Sequence, residues 1–281
     1  LDHALGPENE PADHFNYPFK STVRHSLNGR ASLIPARLTG YGERWEGERC
    51  VLWCEGVVRQ ATVFGENLEL VRRIEVDMGG DTVRIADTVE NLGYAATPHM
   101  LLYHVNVGYP LLDEGARYVA PVRQPLWANH AGKAYRAQGV GYRTMAGPQT
   151  RFREQVWEHE MAADADGRVP VALVNDRLSL AFVVETRKAE FPCHLEWQNL
   201  QAGMYTLGLE PCTNHVLGHN AARERGELIE LAPGESRAYS SMLSVVQGAE
   251  PIAALEARIA AIAAQPAEDY PEPTGDFARL R

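Results

Sequence analysis

From Arg44 onward, apolar and polar residues alternate along most of the chain, the period of a strand with one buried face. The alternation predicts strands over Arg49–Trp53, Ala61–Phe64, Leu68–Val76 and Thr82–Asn91, the last two joined by the turn residues of Met78–Asp81. A strand near Arg117–Val122, a looser segment to about Thr150 and a strand over Gln155–Ala162 come next. Val169–Val174 and Leu178–Glu185 flank Asn175-Asp176 and read as a hairpin, followed by strands at His194–Leu200 and Met204–Glu210. Arg225–Leu231 and Ser236–Val246 are expected to pair across Pro233-Gly234. A helix is predicted only over Pro251–Ala264, with Pro251 at its first position and Ile252, Leu255, Ile259 and Ile262 on one stripe. Residues 1–24 lack a period and read as a surface loop, with Phe15, Tyr17 and Phe19 as anchors; the tail 265–281, with prolines and acids, reads as flexible. Many short strands, frequent turns and one short C-terminal helix predict an all-β antiparallel sandwich, one domain over 1–281.

Two stretches carry more than packing. In Leu101–Pro110, LLYHVNVGYP, one face holds Leu101, Tyr103, Val105 and Val107, while His104 and Asn106 share the other. In Met204–Asn214, MYTLGLEPCTN, Tyr205, Leu207 and Leu209 form the apolar face and Thr206, Gly208 and Glu210 the opposite one. Gly208 leaves a gap beside Glu210, and Pro211 cannot donate to a ladder, so the strand should reach an edge or stop there. An imidazole and a carboxylate, each at the exit of a strand, are the minimum for paired acid and base chemistry. A solvated strand histidine is the alternative for His104 taken alone.

Composition narrows the partners. A net charge of −10 and the lack of a Lys/Arg cluster argue against nucleic acid. No apolar run is long enough to cross a bilayer and no signal peptide opens the chain, so no membrane is expected and the expected location is cytoplasmic. Leu1 in place of Met leaves room for a preceding piece. Cys50, Cys54, Cys193 and Cys212 lack the CxxC spacing of common zinc sites and read as buried free thiols in a reducing compartment. His215 and His219, four apart in a Gly/Asn-rich loop, have no carboxylate spaced as a third ligand, so no metal is expected. Nor does acid–base chemistry of this kind call for a cofactor.

The blocks LNGRASLIPARL, TPHMLLYHVNVGYPLL, EWQNL and GLEPCTN together resemble the aldose 1-epimerase (galactose mutarotase-like) superfamily, nearest a bacterial branch of it, over most of the chain. The resemblance implies a large twisted antiparallel sandwich with a sugar cleft on a concave sheet. It implies a catalytic pair in which His104 protonates the ring oxygen of an aldose and Glu210 takes the proton of the anomeric hydroxyl. The ring then opens, C1–C2 rotates, and closure gives the other anomer. Trp197 falls where the family places an aromatic wall, although a tryptophan is as often core.

One departure stands out. The family's first histidine, in an LHGR-like turn, is replaced by Asn28 in Leu27-Asn28-Gly29-Arg30; an amide still donates and accepts hydrogen bonds but carries no charge. Further candidates for substrate binding are Arg30, as a clamp or a surface ion pair, Asn106 beside His104, and His159 in VWEHEM, which either lines the cleft or is exposed. The expected partner is a small-molecule sugar, and the expected state a monomer or homodimer. A sugar-binding or sensing protein without turnover is the alternative function. A lyase or hydrolase on a related sandwich is a third, with no residue set to assign.

Overall fold

The computed structural model of the chain describes residues 28–63, 65–129, 140–264, 266, 269, 270 and 277, together with the backbone of 8–11 and 22–25. These fall into two compact units, residues 1–102 with 213–241, and residues 103–212 with 242–281.

In chain order the first unit contains β1 (Glu8–Pro11), β2 (Thr22–His25), a 3-10 turn at Ala31–Leu33, β3 (Arg37–Glu46), β4 (Arg49–Ala61), β5 (Asn67–Asp77), β6 (Thr82–Asn91) and β7 (Thr97–His99). The second contains β8 (Val105–Gly108), β9 (Arg117–Val119), β10 (Val122–Ala128), β11 (Gln155–Met161), β12 (Arg168–Asn175), β13 (Leu180–Arg187), β14 (Cys193–Asn199) and β15 (Thr206–Cys212). The chain then returns to the first unit for α1 (Gly218–Glu224) and β16 (Ile229–Leu231). The boundary falls inside β17 (Ser236–Gln247), and α2 (Ala249–Ile262) belongs to the second unit.

The first unit is built on an antiparallel meander in the order β3-β4-β5-β6. Val51, Leu68, Leu70 and Val89 are among its buried side chains. Asn91, fully enclosed, donates from Nδ2 to Ala95 O and Leu231 O, both at 2.8 Å, so an amide rather than an aliphatic side chain satisfies the backbone at the end of β6.

The second unit is a sandwich. One sheet runs β10-β11-β14-β15-β8, every neighbour antiparallel. Facing it are β9, β12 and β13, with the later part of β17 beside β13. Val107, Trp157, Met161, Leu207 and Leu209 from the first sheet pack on Tyr118, Val169, Val171, Leu173 and Val184 from the second. The other face of β12 and β13, through Ala172, Val174, Ala181 and Val183, is covered by Ile252 and Ile259 of α2. The predicted stripe therefore does bury against a sheet, and the apolar run in β12 reflects burial on both faces.

The structure corrects several expected elements. Ala61 ends β4 and does not open a new strand, while Phe64 lies outside the described residues. β3 and β10 are strands that the alternation did not single out. β16 pairs with β7 and not across Pro233-Gly234, because Asn91 and the chain around it offer Leu231 other partners. Gly218–Glu224 forms a second helix. The helix α2 begins two residues before Pro251, which sits within its first turn. The N-terminal stretch read as loop includes the β1–β2 pair, and Phe15, Tyr17 and Phe19 lie outside the described residues. Of the tail, Tyr270 is buried in the sandwich core, donating to Val140 O at 2.8 Å, and Trp157 Nε1 donates to Asp269 O at 3.0 Å.

Candidate active site

β14 and β15 are joined by a turn at Gln201–Met204, with Gly203 at φ 85°, and this sets their register. Trp197 lies opposite Gly208, Leu195 opposite Glu210 and Cys193 opposite Cys212; on the other side of β15, Asn106 is also opposite Gly208. Because side chains alternate, Trp197, Gly208, Glu210 and Asn106 leave the sheet on the face away from the sandwich core. His104 immediately precedes β8. The regular strand is shorter than Leu101–Pro110 because the chain is held differently before Val105: Tyr103 N donates to Pro211 O at 3.0 Å. The alternation continues through this contact, and His104 shares the face of Asn106.

There, His104 Nε2 lies 2.9 Å from Glu210 Oε1, an ion-pair contact more than an aligned hydrogen bond. The imidazole is about a third open to solvent and the carboxylate nearly enclosed, at 34% and 7%. Burial of the ring works against its charged form, but the contact with Glu210 and the charge of Glu210, helped by Asn106, outweigh it and raise the His104 pKa above the ordinary 6.5. Trp197 stands edge-on to His104 with ring centroids 5.4 Å apart, and its Nε1 donates to Glu154 Oε2 at 2.8 Å.

Gly208 is what lets these groups meet. A Cβ there would lie 2.5 Å from Glu210 Oε1 and 3.2 Å from both His104 Cε1 and Trp197 Cβ. The missing side chain is a steric requirement of the site, as the gap beside Glu210 in the sequence suggested. Chemically the arrangement offers a protonated imidazole as acid and a carboxylate as base on one partly open face.

The other candidates are placed differently. His159 is in the interior: its side chain is fully enclosed, with Nε2 3.2 Å from Glu196 Oε2 and its ring against Tyr142 at 4.6 Å and stacked on Tyr118 at 5.7 Å. It neither lines the open face nor is exposed, because in β11 it shares the inward face of Trp157 and Met161. Asn28 and Arg30 belong to the first unit. Asn28 is exposed with φ 60°, the left-handed turn conformation that Asn tolerates, and Arg30 pairs with the buried Glu66. Glu154, which holds the Trp197 indole, was not singled out from sequence: an acid just before a strand carries no signal by itself.

Comparison with known proteins follows this geometry. Residues 3–245 match a family described as a domain of unknown function, DUF4432, and the chain belongs to that family. No curated protein matches it. Among solved structures, a Klebsiella pneumoniae protein named after aldose 1-epimerase superposes with TM-score 0.79 at 23% identity, covering 89% of this chain and 65% of that one. The chain thus spans just under two thirds of that protein's length. A galactose mutarotase-like protein from Clostridium acetobutylicum gives TM-score 0.56 at 12% identity over 86% and 78% of the two chains, and one from Lactobacillus casei gives 0.53 at 14% over 88% and 84%. The fold is the galactose mutarotase-like antiparallel sandwich. No described helix is long and apolar enough to cross a membrane.

Proposed function

Starting from this fold, we propose that the protein is an isomerase that interconverts the anomers of a free sugar, with His104 as acid and Glu210 as base. The observation that supports the reading is the 2.9 Å contact between His104 Nε2 and Glu210 Oε1 on the open face, with the Trp197 ring beside it. The ring oxygen and the anomeric hydroxyl of a pyranose share one carbon, so a donor and an acceptor close together on one face suit them. The imidazolium hands its proton to the ring oxygen as the carboxylate takes that of the hydroxyl, and the C1–O5 bond breaks to leave an open-chain aldehyde. After rotation about C1–C2, the same two transfers in reverse close the ring as the other anomer and restore both groups. Asn106 orients His104 or holds a hydroxyl, and Trp197 supplies an apolar wall. The reading carries with it a small-molecule sugar as partner and a cytoplasmic setting.

Exchange NMR or polarimetry on a panel of aldoses tests it. Glu210→Gln should slow anomer exchange by about 10²–10⁴-fold, the usual contribution of a placed acid or base. A variant as fast as the parent, or no acceleration of any aldose, defeats the proposal. A second reading, sugar binding without turnover, is supported by Asn28 at the turn where the resemblance expects a histidine. Calorimetric sugar binding that survives His104→Ala, with no turnover by the parent, would favour it.

A further inference from the structure

Two rungs from Leu195–Glu210, and the next on the same face of the sheet, is a pair of cysteines: Cys193, the first residue of β14, directly opposes Cys212, the last of β15. Both are reduced and buried, at 7% and 0% exposure. Opposed residues of an antiparallel pair send their side chains to the same face, here that of Trp197 and Glu210. Their Cα atoms stand about 4.5–5.5 Å apart, inside the span of about 4.4–6.8 Å that a disulfide accepts. Cys50 and Cys54 differ. They lie four residues apart on one strand, roughly 13 Å at the usual rise, and face Trp45 and Tyr41 across the ladder.

We propose that Cys193 and Cys212 form a reversible cross-strand disulfide by exchange with a low-molecular-weight disulfide of the glutathione type, and that the cross-link alters the His104–Glu210 contact two rungs away on the same face. Position favours attack at Cys193, which opens β14 and follows the exposed Pro192, so the ladder opens there at least cost. The Cys193 thiolate attacks one sulfur of the small disulfide, whose S–S bond breaks to expel one thiolate and leave a mixed disulfide on Cys193. Cys212, once deprotonated, attacks the Cys193 sulfur and expels the second thiolate. Two protein thiols are oxidised, one small disulfide is reduced to two thiols, and the two protons leave with them. Closure draws the two Cβ atoms from about 4.5–5.5 Å to about 3.8 Å, a displacement that the sheet passes to Glu210, two residues before Cys212.

The full chain is incubated with oxidised glutathione just below its unfolding transition, free thiols are alkylated, and the digest is analysed by mass spectrometry. The expected product is one peptide pair joined through Cys193 and Cys212, two hydrogens lighter than its parts and restored by dithiothreitol, with Cys50 and Cys54 alkylated. His104 ring resonances followed by NMR should titrate about half a pH unit away from those of the reduced protein. Cys212→Ser treated in the same way should show neither change. Complete alkylation of all four cysteines, or a mixed disulfide on Cys193 that never closes, overturns the site. A cross-link that leaves the His104 titration unmoved overturns the coupling. Neither readout requires turnover, so failure here is distinct from failure of the isomerase reading.

Discussion

The second unit contains two histidine–glutamate pairs on opposite faces of one sheet, and they behave in opposite ways. His104 and Glu210 meet at 2.9 Å on the partly open face, and there the histidine is shifted toward its charged form. His159 and Glu196 meet at 3.2 Å inside the sandwich with both side chains at zero exposure. There burial dominates: it pushes the Glu196 carboxyl well above its ordinary value and the His159 imidazole well below. Gln198 Nε2 donates to Glu196 Oε1 at 2.8 Å but does not reverse the shift. Burial thus favours the uncharged form of both members of the inner pair, whereas the contact with Glu210 favours the charged form of His104. Similar side chains at similar distances take different protonation states because water reaches only one of them.

The comparison is broken most severely by Glu196→Ala. It leaves His159 Nε2 without its partner and a cavity in the core, and should cost about 2–5 kcal/mol in a urea unfolding series. By contrast, His104→Ala should cost no more than about 1–2 kcal/mol, since the imidazole is partly open and water can take its place beside Glu210, while slowing sugar anomer exchange by about 10²–10⁴-fold. Equal stability losses for the two variants would erase the distinction drawn here.

Gly208→Ala is expected to cost about 1–3 kcal/mol from overpacking, and to push Glu210 away from His104. The His104 pKa, read by NMR, should then fall toward the ordinary histidine value; a value unchanged from the parent would show that Gly208 is not needed for the contact.

Smallest over any single pH unit is a slope with pH. Glu196 keeps its proton in the folded chain where the unfolded chain has lost it, so stability falls as pH climbs above the ordinary carboxyl value of 4.5. His159, with its lowered pKa, contributes the opposite slope up to 6.5 and nothing beyond. Above that point His159 no longer offsets Glu196, which lowers stability by at most about 1.4 kcal/mol per pH unit. His104 adds in the same direction: its raised pKa gives stability that is present below 6.5 and lost as pH rises through the folded value. Melting temperatures of Glu196→Gln between about pH 6 and 9 should therefore decline less than those of the parent, leaving only the His104 part.

Period-two alternation was enough to read β5 and β6, because a half-buried strand repeats its contrast every second residue, whereas β12 and β13 were legible as two short runs flanking the turn residues Asn175-Asp176. It also placed His104 with Asn106, and Gly208 with Glu210, on common faces. It missed β10, where register shifts interrupt the alternation, and α1, which is too short for a helical period to show. His159 in VWEHEM illustrates the limit. Its polar neighbours Glu158 and Glu160 suggested a residue lining the cleft or exposed, yet the parity that sends Trp157 inward takes the histidine with it.

What the sequence determined by itself was which side chains travel together: strand faces, turns, and the pairing of a glycine gap with a carboxylate two residues later. Those are local consequences of backbone geometry and need no partner. Which strands stand side by side, and so which imidazole meets which carboxylate and whether water reaches them, was decided only by the tertiary structure. Register across sheets depends on contacts between residues about a hundred positions apart, and the protonation of each pair follows from the burial those contacts produce.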